Sequence, residues 1–314
     1  MAIFVYAENH NGTYKKSTFE AVAYAKAIAE QSADFVVAVS INPTDSSDLL
    51  YQYGASKVIK VINNNFQHFS AKAYAGILAE VMLGDIIVFP HTSEASSVAP
   101  MLAVQKDFAL VTSATDVPES ISPFQVKRKV FSGKGFASAK VETGGVVVTL
   151  APNTFGLKEN PVAGTEETRE ISAVDDAKII SHEETSGKVD LKEAEIVVSG
   201  GRGLKGAENW GLVEDLANVL GAATACSKPV SDIGWRPHSE HVGQTGKSIA
   251  PNLYIAAGIS GAIQHLAGVN SSKTIVVINS DAEAPFFKAA DYGVVGDVFQ
   301  VLPALTEKIK ALKG

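Results

Sequence analysis

Strand-length apolar runs that alternate with amphipathic stretches constrain the fold of this chain more than any other feature. In the runs the apolar residues are continuous, as in strands buried on both faces of a parallel sheet, and the stretches between them have helical spacing. The predicted strands are Ile3–Ala7, Phe35–Val39, Lys57–Val61 and Asp85–Phe89, and the predicted helices are Ser17–Glu30, Asp45–Tyr53 and Ser70–Leu83, with Ser17 and Ser70 as N-caps. This alternation predicts an α/β domain with helices on both faces of its sheet.

The pattern changes beyond about residue 109. Glycines separate the next three runs, which are Val126–Phe131, Ala137–Glu142 and Val146–Leu150. Short glycine connections between strands favour hairpins, so we predict antiparallel additions to the first sheet. Residues 152–190 are polar and predict loops, with at most one strand around Ala177–Ile180.

A second α/β unit is predicted after residue 190. Its predicted strands are Glu195–Ser199, Leu253–Ala257, Thr274–Asn279 and Tyr292–Asp297, and its predicted helices are Glu208–Leu220, Gly261–Ala267 and Leu302–Leu312. The expected fold class is therefore α/β with two domains, residues 1–190 and 191–314. In an open parallel sheet such as the second, ligands bind at the carboxyl ends of the strands.

Composition excludes several classes of function. The 314 residues carry a net charge of −7, so no general attraction to nucleic acid is expected. The apolar runs stay well below the roughly 18 residues of a membrane span, which predicts no membrane insertion. Cys226 is the only cysteine, so neither an internal disulfide nor a thiolate metal cage is expected. With no leader at Met1, these features predict a cytoplasmic protein.

A glycine-rich segment follows the first strand of the second unit. Gly201, Gly203 and Gly206 satisfy the spacing of the dinucleotide fingerprint. The acidic residue that should hold a ribose is missing from the place where it is expected, around Ser227. An NAD-dependent dehydrogenase therefore stays an alternative with weak support.

The segment from His241 to Ser248 resembles the phosphate-binding loop of ATPases. That loop needs a glycine where His241 stands and a central strand before it, and Pro237 is incompatible with such a strand. We therefore reject a nucleoside triphosphatase. His238 and His241 have no obvious third ligand, so no metal site is predicted. The sequence contains no recognisable nucleophile–base pair, so no catalytic residue is predicted either.

A third candidate segment lies between strand Leu253–Ala257 and the next helix. A helix that begins near Gly261 would offer free N–H groups to a phosphate, and the hydroxyl of Ser260 could add to them. Gln264 and His265 follow in the first turns. A capped turn with a core histidine explains the same residues equally well.

Several short motifs, in a fixed order, resemble the alpha subunits of electron transfer flavoproteins. They are Ser-Gly-Gly-Arg-Gly-Leu-Lys (199–205), Val-Gly-Gln-Thr-Gly-Lys (242–247), Ala-Pro-Asn-Leu-Tyr-Ile-Ala (250–256), Gly-Ile-Ser-Gly-Ala-Ile-Gln-His-Leu (258–266), Ile-Asn (278–279), Glu-Ala-Pro-Phe-Phe (283–287) and Ala-Asp-Tyr-Gly (290–293). The resemblance covers about residues 195–314 and is less distinctive in the first half.

The resemblance implies a flavoprotein of electron transport that is a carrier and not an enzyme. It implies FAD, held by a flavodoxin-like doubly wound domain, and a heterodimer with a beta subunit that carries AMP or a second flavin. Electrons would pass from acyl-CoA dehydrogenases of fatty acid beta-oxidation, or from other dehydrogenases, to a quinone oxidoreductase. A flavin-bifurcating form that oxidises NADH, and a nucleotide-binding regulatory protein without redox function, stay open as alternatives.

The resemblance also implies roles for particular residues. Arg202 would lie beside the flavin ring, Gln244 and Thr245 would meet its N5/O4 edge, and His265 would meet its N1–C2=O edge. The groups expected along the rest of FAD are Ser227, Gly258, Ser260, Gly261 and Gln264 for the pyrophosphate and ribityl chain, and Asn279 and Asp297 for the adenosine. Lys228 stands where the family usually has arginine, so the positive charge is kept but the planar guanidinium group with its paired hydrogen-bond donors is lost.

Overall fold

The structure is a computed structural model that describes residues 2–65, 68–131, 133, 135–142, 144–173, 180–181 and 191–313. The chain divides into two compact units, Met1–Val130 with Gly135–Glu183 and Phe131–Lys134 with Glu184–Gly314. The predicted boundary at residue 190 and all but the last residue of the predicted strand Ala177–Ile180 lie outside the described residues, so both stay predictions.

The first unit is built on one large, mostly parallel sheet. Its elements are β1 (Ala2–Tyr6), β2 (Asn9–His10), β3 (Thr13–Tyr14), α1 (Lys16–Ser32), β4 (Phe35–Ile41), α2 (Asp48–Tyr51), β5 (Ala55–Ile62), α3 (Ala71–Val81), β6 (Ile86–Pro90), α4 (Ser93–Lys106), β7 (Ala109–Ala114), β8 (Ser120–Ile121), β9 (Phe124–Val130), β10 (Gly135–Val141), β11 (Val146–Leu150) and β12 (Thr165–Glu170). The strand order is β10-β9-β7-β11-β6-β1-β4-β5-β12, with β8 beside β9 and a separate β2–β3 pair.

The four strands and two of the three helices predicted before residue 90 are confirmed as elements. α2 is only the single turn Asp48–Tyr51. Ser70 caps α3, since its hydroxyl accepts from the Ala73 N–H at 3.3 Å. The predicted cap at Ser17 is wrong, because α1 begins at Lys16 after an N-cap position, Lys15, whose side chain makes no capping bond.

The predicted antiparallel role of Val146–Leu150 is also wrong. β11 runs parallel to both β6 and β7 in the middle of the sheet, and all five of its residues are buried. Only β9 and β10, with β8, form the expected antiparallel addition. Gly145 marks close packing here as well as a connection, since a Cβ on it would lie 2.4 Å from the Phe108 ring.

Besides the two-residue strands β2, β3 and β8, three longer elements of the first unit were not predicted. They are α4, β7 and β12. β12 is polar and lies at the sheet edge, where Glu167 pairs with Lys57 of β5 at 2.5 Å and Glu166 with Lys60 at 3.1 Å. An edge strand held by cross-strand ion pairs does not carry the continuous apolar run from which the other strands were predicted.

Alternate side chains of each strand build two hydrophobic layers. In β1, Ile3 and Val5 belong to the layer under α1, whereas Phe4 and Tyr6 belong to the layer under α3 and α4. This is the two-residue period of a strand with both faces covered. The observation explains why the strands of the sheet centre are apolar along their whole length.

The second unit has a smaller, wholly parallel sheet. Its elements are β13 (Ile196–Gly200), α5 (Gly211–Leu220), β14 (Ala223–Cys226), α6 (Lys228–Asp232), β15 (Leu253–Ala257), α7 (Ile263–Val269), β16 (Thr274–Asn279), β17 (Tyr292–Val295) and α8 (Val298–Lys313), with short 3₁₀ turns at Arg202–Leu204, Ala207–Asn209, His238–Glu240 and Pro285–Ala289. The strand order β14-β13-β15-β16-β17 is the 2-1-3-4-5 order of flavodoxin-like sheets. The predicted doubly wound fold is therefore confirmed, and only β14 and α6 were missed.

No helix of the described residues is both long and apolar enough to cross a membrane.

A buried carboxylate fixes the chain after β11 to the first unit. Glu20 of α1 is 5% exposed and accepts hydrogen bonds from the N–H groups of Asn153 at 3.0 Å, Phe155 at 2.8 Å and Gly156 at 2.7 Å. Hydrogen bonds to a charged acceptor are stronger than neutral ones. Glu20 therefore supplies the partners that a turn without regular pairing lacks.

We expect Glu20→Ala to lower the free energy of unfolding by about 3 kcal/mol, because three backbone donors lose a charged acceptor. Glu30→Ala on the same helix is the matched control. Glu30 is exposed, and its two surface contacts, the pair with Lys26 at 3.4 Å and the hydrogen bond from the Asn160 side chain at 2.9 Å, are each worth less than about 1 kcal/mol. Urea unfolding of the full chain and amide hydrogen exchange in α1 measure both variants. Equal losses for the two would contradict the role of Glu20.

Candidate functional site

The twelve candidate residues are brought together at the carboxyl edge of the second sheet and the loops beside it. Ser227 follows β14, Arg202 follows β13, Gly258 follows β15, Asn279 ends β16 and Asp297 follows β17. Neighbouring strands are about 4.8 Å apart, so the edge from β14 to β17 extends for about 19 Å. An edge of that length suits an elongated ligand that lies across all five strand ends.

Two glycine loops touch at the point where the strand order reverses. The Gly201 N–H donates to the Ala257 carbonyl at 2.9 Å and the Gly203 N–H to the Gly258 carbonyl at 3.0 Å. A Cβ on Gly201 would lie 2.2 Å from the Gly258 oxygen, and Gly258 itself has a φ of +64°. The glycines are thus required by contact between loops.

This contact is not the geometry of a dinucleotide fingerprint. In that motif the glycines open an α-helix onto the pyrophosphate. Here Arg202–Leu204 is a 3₁₀ turn, and α5 begins only at Gly211. The arrangement gives no support to NAD binding through the segment Gly201–Gly206.

The loop after His241 is bonded to the first turn of α7. The Gln244 N–H donates to the Gln264 carbonyl at 2.7 Å, and the Ile249 N–H donates to the Gly268 carbonyl at 2.9 Å. Gln244, Thr245 and Gln264 are exposed, so their side chains are available to a ligand. No helix follows the loop directly, which agrees with the rejection of a phosphate-binding loop of the ATPase type.

His265 lies in the same turn, but its ring is buried. The side chain is 7% exposed, and the Tyr254 hydroxyl lies 2.8 Å from Nε2. Nδ1 is buried and makes no hydrogen bond within the described part of the chain. Phe286 packs edge-on against the ring, with centroids 5.7 Å apart.

Burial controls the protonation of His265. It lowers the pKa of the ring to about 4, with repulsion from the nearby His241 as a smaller cause and the Val242 backbone acting in the opposite direction. The ring is therefore neutral near pH 7 and carries one N–H. A buried polar atom without a partner costs about 1–3 kcal/mol, so we interpret Nδ1 as an atom prepared for a ligand. The residues fit a flavin in this respect.

Ser227 and Lys228 begin α6 beside the first loop. The Ser227 N–H donates to the Gly200 carbonyl at 3.1 Å, and the residue is 7% exposed. The Lys228 ammonium is exposed and pairs with Asp232 at 2.7 Å, which lowers the pKa of that carboxyl. An exposed pair of this kind is weak, so Lys228 is free to turn towards a ligand.

The other end of the edge holds the groups expected at adenosine. The Asn279 side chain donates to the Ile259 carbonyl at 3.0 Å, which ties it to the loop after β15. Asp297 is exposed and accepts from the Phe299 N–H at 3.1 Å, at the start of α8. The Gly296 N–H donates to the Asn279 carbonyl at 3.0 Å, so these two candidates are neighbours.

The loop between Gly258 and α7 is longer than predicted. α7 begins at Ile263 and not at Gly261, so Gly258–Ala262 is an irregular connection. Ser260 is exposed. Gly261 has a φ of +85°, and a Cβ on it would lie 2.4 Å from the Phe286 Cβ, so only glycine fits. This connection lies between the two ends of the site.

Arg202 is the candidate with the fewest constraints. It is exposed, and the described residues offer its side chain no ion pair or hydrogen bond. Cys226 is buried, and burial raises the pKa of its thiol to about 12, which leaves it without thiolate character. Among the described residues no group of three or more His, Cys, Asp or Glu side chains could hold a metal ion.

Sequence reasoning missed Tyr254. It lies in the predicted strand Leu253–Ala257, and no role was predicted for it. A signal was available, because a fully buried tyrosine needs a partner for its hydroxyl, and the sequence places a histidine on the next helix.

Family models match both halves of the chain. Residues 3–178 match the electron transfer flavoprotein domain, and residues 190–270 match the electron transfer flavoprotein FAD-binding domain. The second match contains the loops around Arg202, Gln244 and His265. Asn279 and Asp297 lie beyond it, so their assignment rests on their place at the sheet edge.

Curated relatives align over nearly the whole chain. The electron transfer flavoprotein subunit alpha of Bacillus subtilis (strain 168) is 36% identical, with 99% of this chain and 98% of the relative covered. The subunit alpha of Paracoccus denitrificans is 35% identical, with 98% of this chain and 100% of the relative covered. Protein FixB of Escherichia coli O6:K15:H31 is 34% identical, with 90% of this chain and 91% of the relative covered. The chain therefore belongs to the alpha subunits of electron transfer flavoproteins, a family of electron transfer, and carries their FAD-binding domain.

Proposed function

We propose that this chain is the FAD-binding half of a heterodimeric electron carrier. Alpha subunits of this family pair with a beta subunit. The carrier would take electrons from acyl-CoA and other dehydrogenases, as in fatty acid beta-oxidation, and deliver them to a quinone oxidoreductase or the respiratory chain. The single cysteine, buried and with a raised pKa, supports work in a reducing cytoplasm.

The buried ring of His265 is the observation that carries the proposal. When bound, FAD would supply the redox chemistry, since it accepts and gives up electrons one at a time. His265 would hold a proton at Nδ1 against the N1–C2=O edge of the flavin. Because the ring is buried, its N–H dipole acts in a low dielectric and needs no reorganisation when charge arrives. Phe286 helps to keep water away from the ring.

The other candidate groups would complete the binding of the cofactor. Gln244 and Thr245 would bind the opposite, N5/O4 edge of the flavin, and Arg202 would bring a cation near the ring. Ser227, Ser260 and the backbone of residues 258–261 would serve the pyrophosphate and ribityl chain, and Lys228 would be a further cation at the site. Gln264 would bind beside them, with Asn279 and Asp297 at the adenosine.

The chain co-expressed with its beta subunit should purify as a yellow complex with one FAD per pair. Absorption spectra and flavin counts after denaturation measure this. A second flavin together with NADH oxidation would assign the complex to the bifurcating form. A colourless complex that binds no added FAD would contradict the proposal.

We expect His265→Ala to weaken FAD binding about tenfold, because one buried hydrogen bond is lost. The potential of the first electron should fall by about 60 mV, the equivalent of a tenfold change in a one-electron equilibrium. Spectroelectrochemical titration measures the potential. His10→Ala, an exposed histidine of the first unit, is the matched control and should change neither quantity. Unchanged binding and potential in His265→Ala would remove His265 from the site.

The FAD-free chain should lose stability in acid because of His265. The unfolded chain binds the proton near pH 6.5, whereas the folded ring binds it only near pH 4. The stabilising contribution is thus complete above pH 6.5 and is lost as the pH falls to 4, by about 3 kcal/mol. In His265→Gln this part of the pH dependence should be absent from urea unfolding curves. Parallel curves for the two proteins would show that the ring is not buried as described.

A further inference from the structure

Tyr254 and His265 form a buried pair between a strand and a helix. Tyr254, in β15, is 0% exposed, and its Oη lies 2.8 Å from Nε2 of His265 in α7. Phe286 packs near both rings, with centroid distances of 6.3 Å to Tyr254 and 5.7 Å to His265. Among the described side chains, Tyr254 is the hydrogen-bond partner of the His265 ring, and the Val242 backbone also lies near the ring.

The direction of this hydrogen bond follows from the neighbouring polar atoms. If Nε2–H donated to the phenol oxygen, the phenol proton would need another acceptor. Nδ1 would then be an acceptor that receives no hydrogen bond. The buried Ser199 hydroxyl lies beside the phenol, so it would have to accept the phenol proton, and its own proton would then lack an acceptor among the described residues. When the phenol donates to Nε2, Ser199 can instead donate to the phenol oxygen. If the phenol donates to Nε2, only the N–H at Nδ1 lacks a partner. The second arrangement leaves fewer buried groups unsatisfied and is favoured.

The protonation states of the two rings agree with this direction. Burial raises the pKa of Tyr254, so the phenol keeps its proton. Burial lowers the pKa of His265 to about 4, so the imidazole is neutral near pH 7 and accepts at one nitrogen only. A neutral ring that accepts at Nε2 must carry its proton at Nδ1.

We propose that Tyr254 is a positioning residue that donates to Nε2 of His265 and so fixes the Nδ1–H form of the ring as the donor towards the flavin. The inference rests on the proposed function, because it gives His265 a carbonyl acceptor on FAD. Without the phenol the ring would distribute its proton between both nitrogens. The Nε2–H form would then present a lone pair, and not a donor, to the electron-rich edge.

The tautomer can be measured directly in the FAD-loaded heterodimer with ¹⁵N-labelled histidine. Protonated and bare ring nitrogens have well-separated shifts, and comparison with His265→Ala assigns the ring. We expect the Nδ1–H form in the natural sequence. Tyr254→Phe should change the tautomer ratio, and Tyr292→Phe, which removes the hydroxyl of an exposed tyrosine in the same unit, should not. The Nε2–H form in the natural sequence would overturn the inference, even if Tyr254→Phe fails to fold.

Binding and redox titrations of the same variants test the link to FAD. Tyr254→Phe should raise the FAD dissociation constant about two- to tenfold. It should also lower the reduction potential of the first electron, as His265→Ala does. Tyr254→Phe with unchanged tautomer and affinity would overturn the inference while leaving His265 as a ligand. A changed tautomer combined with no effect of His265→Ala on FAD would instead overturn the proposed contact of His265, and with it the role of Tyr254 towards FAD.

Discussion

The close approach of two backbone loops at the reversal of the strand order is the constraint on which the second unit depends. Gly201 and Gly203 lie directly against Gly258, with no room for a Cβ on any of them. Two helices that leave neighbouring strands for opposite faces diverge at this point, so a crevice opens there. The backbone bonds between the loops hold its two walls together. Side chains added at these glycines would push apart the elements that position every candidate residue.

The sequence predicts the apolar part of the fold well, because strand and helix periods are local signals. β1, β4 and β6 follow directly from continuous runs that the sheet buries on both faces. It predicts pairing poorly, since pairing is decided by partners far along the chain. β11 carries the apolar run of a central strand, but the glycines before it wrongly indicated an antiparallel hairpin. β12 is stabilised by ion pairs across the edge, for which no local pattern exists.

Motifs assign residues to a site, but they do not predict the physical setting of those residues. The motifs assign Gln244 and His265 to one site, and the hydrogen bond from the Gln244 N–H to the Gln264 carbonyl joins the two segments that carry them. Nothing in the sequence distinguished exposed candidates such as Gln244 from the buried ring of His265. That difference depends on the layer formed by Tyr254 and Phe286, which come from other parts of the chain. Burial is a property of the assembled core, so a short motif carries little information about it.

The contrast between exposed and buried groups bears on how such a site controls a flavin. In the single chain Arg202 and Lys228 are exposed, where solvent screens a cation, and Lys228 already has a partner in Asp232. The His265 ring is buried, and a neutral N–H dipole costs far less to bury than a charge. A buried dipole with a fixed direction can therefore favour added negative charge more strongly than a mobile surface cation. On this argument, a lysine at position 228, where the resemblance implies arginine, matters less than the orientation of the His265 ring.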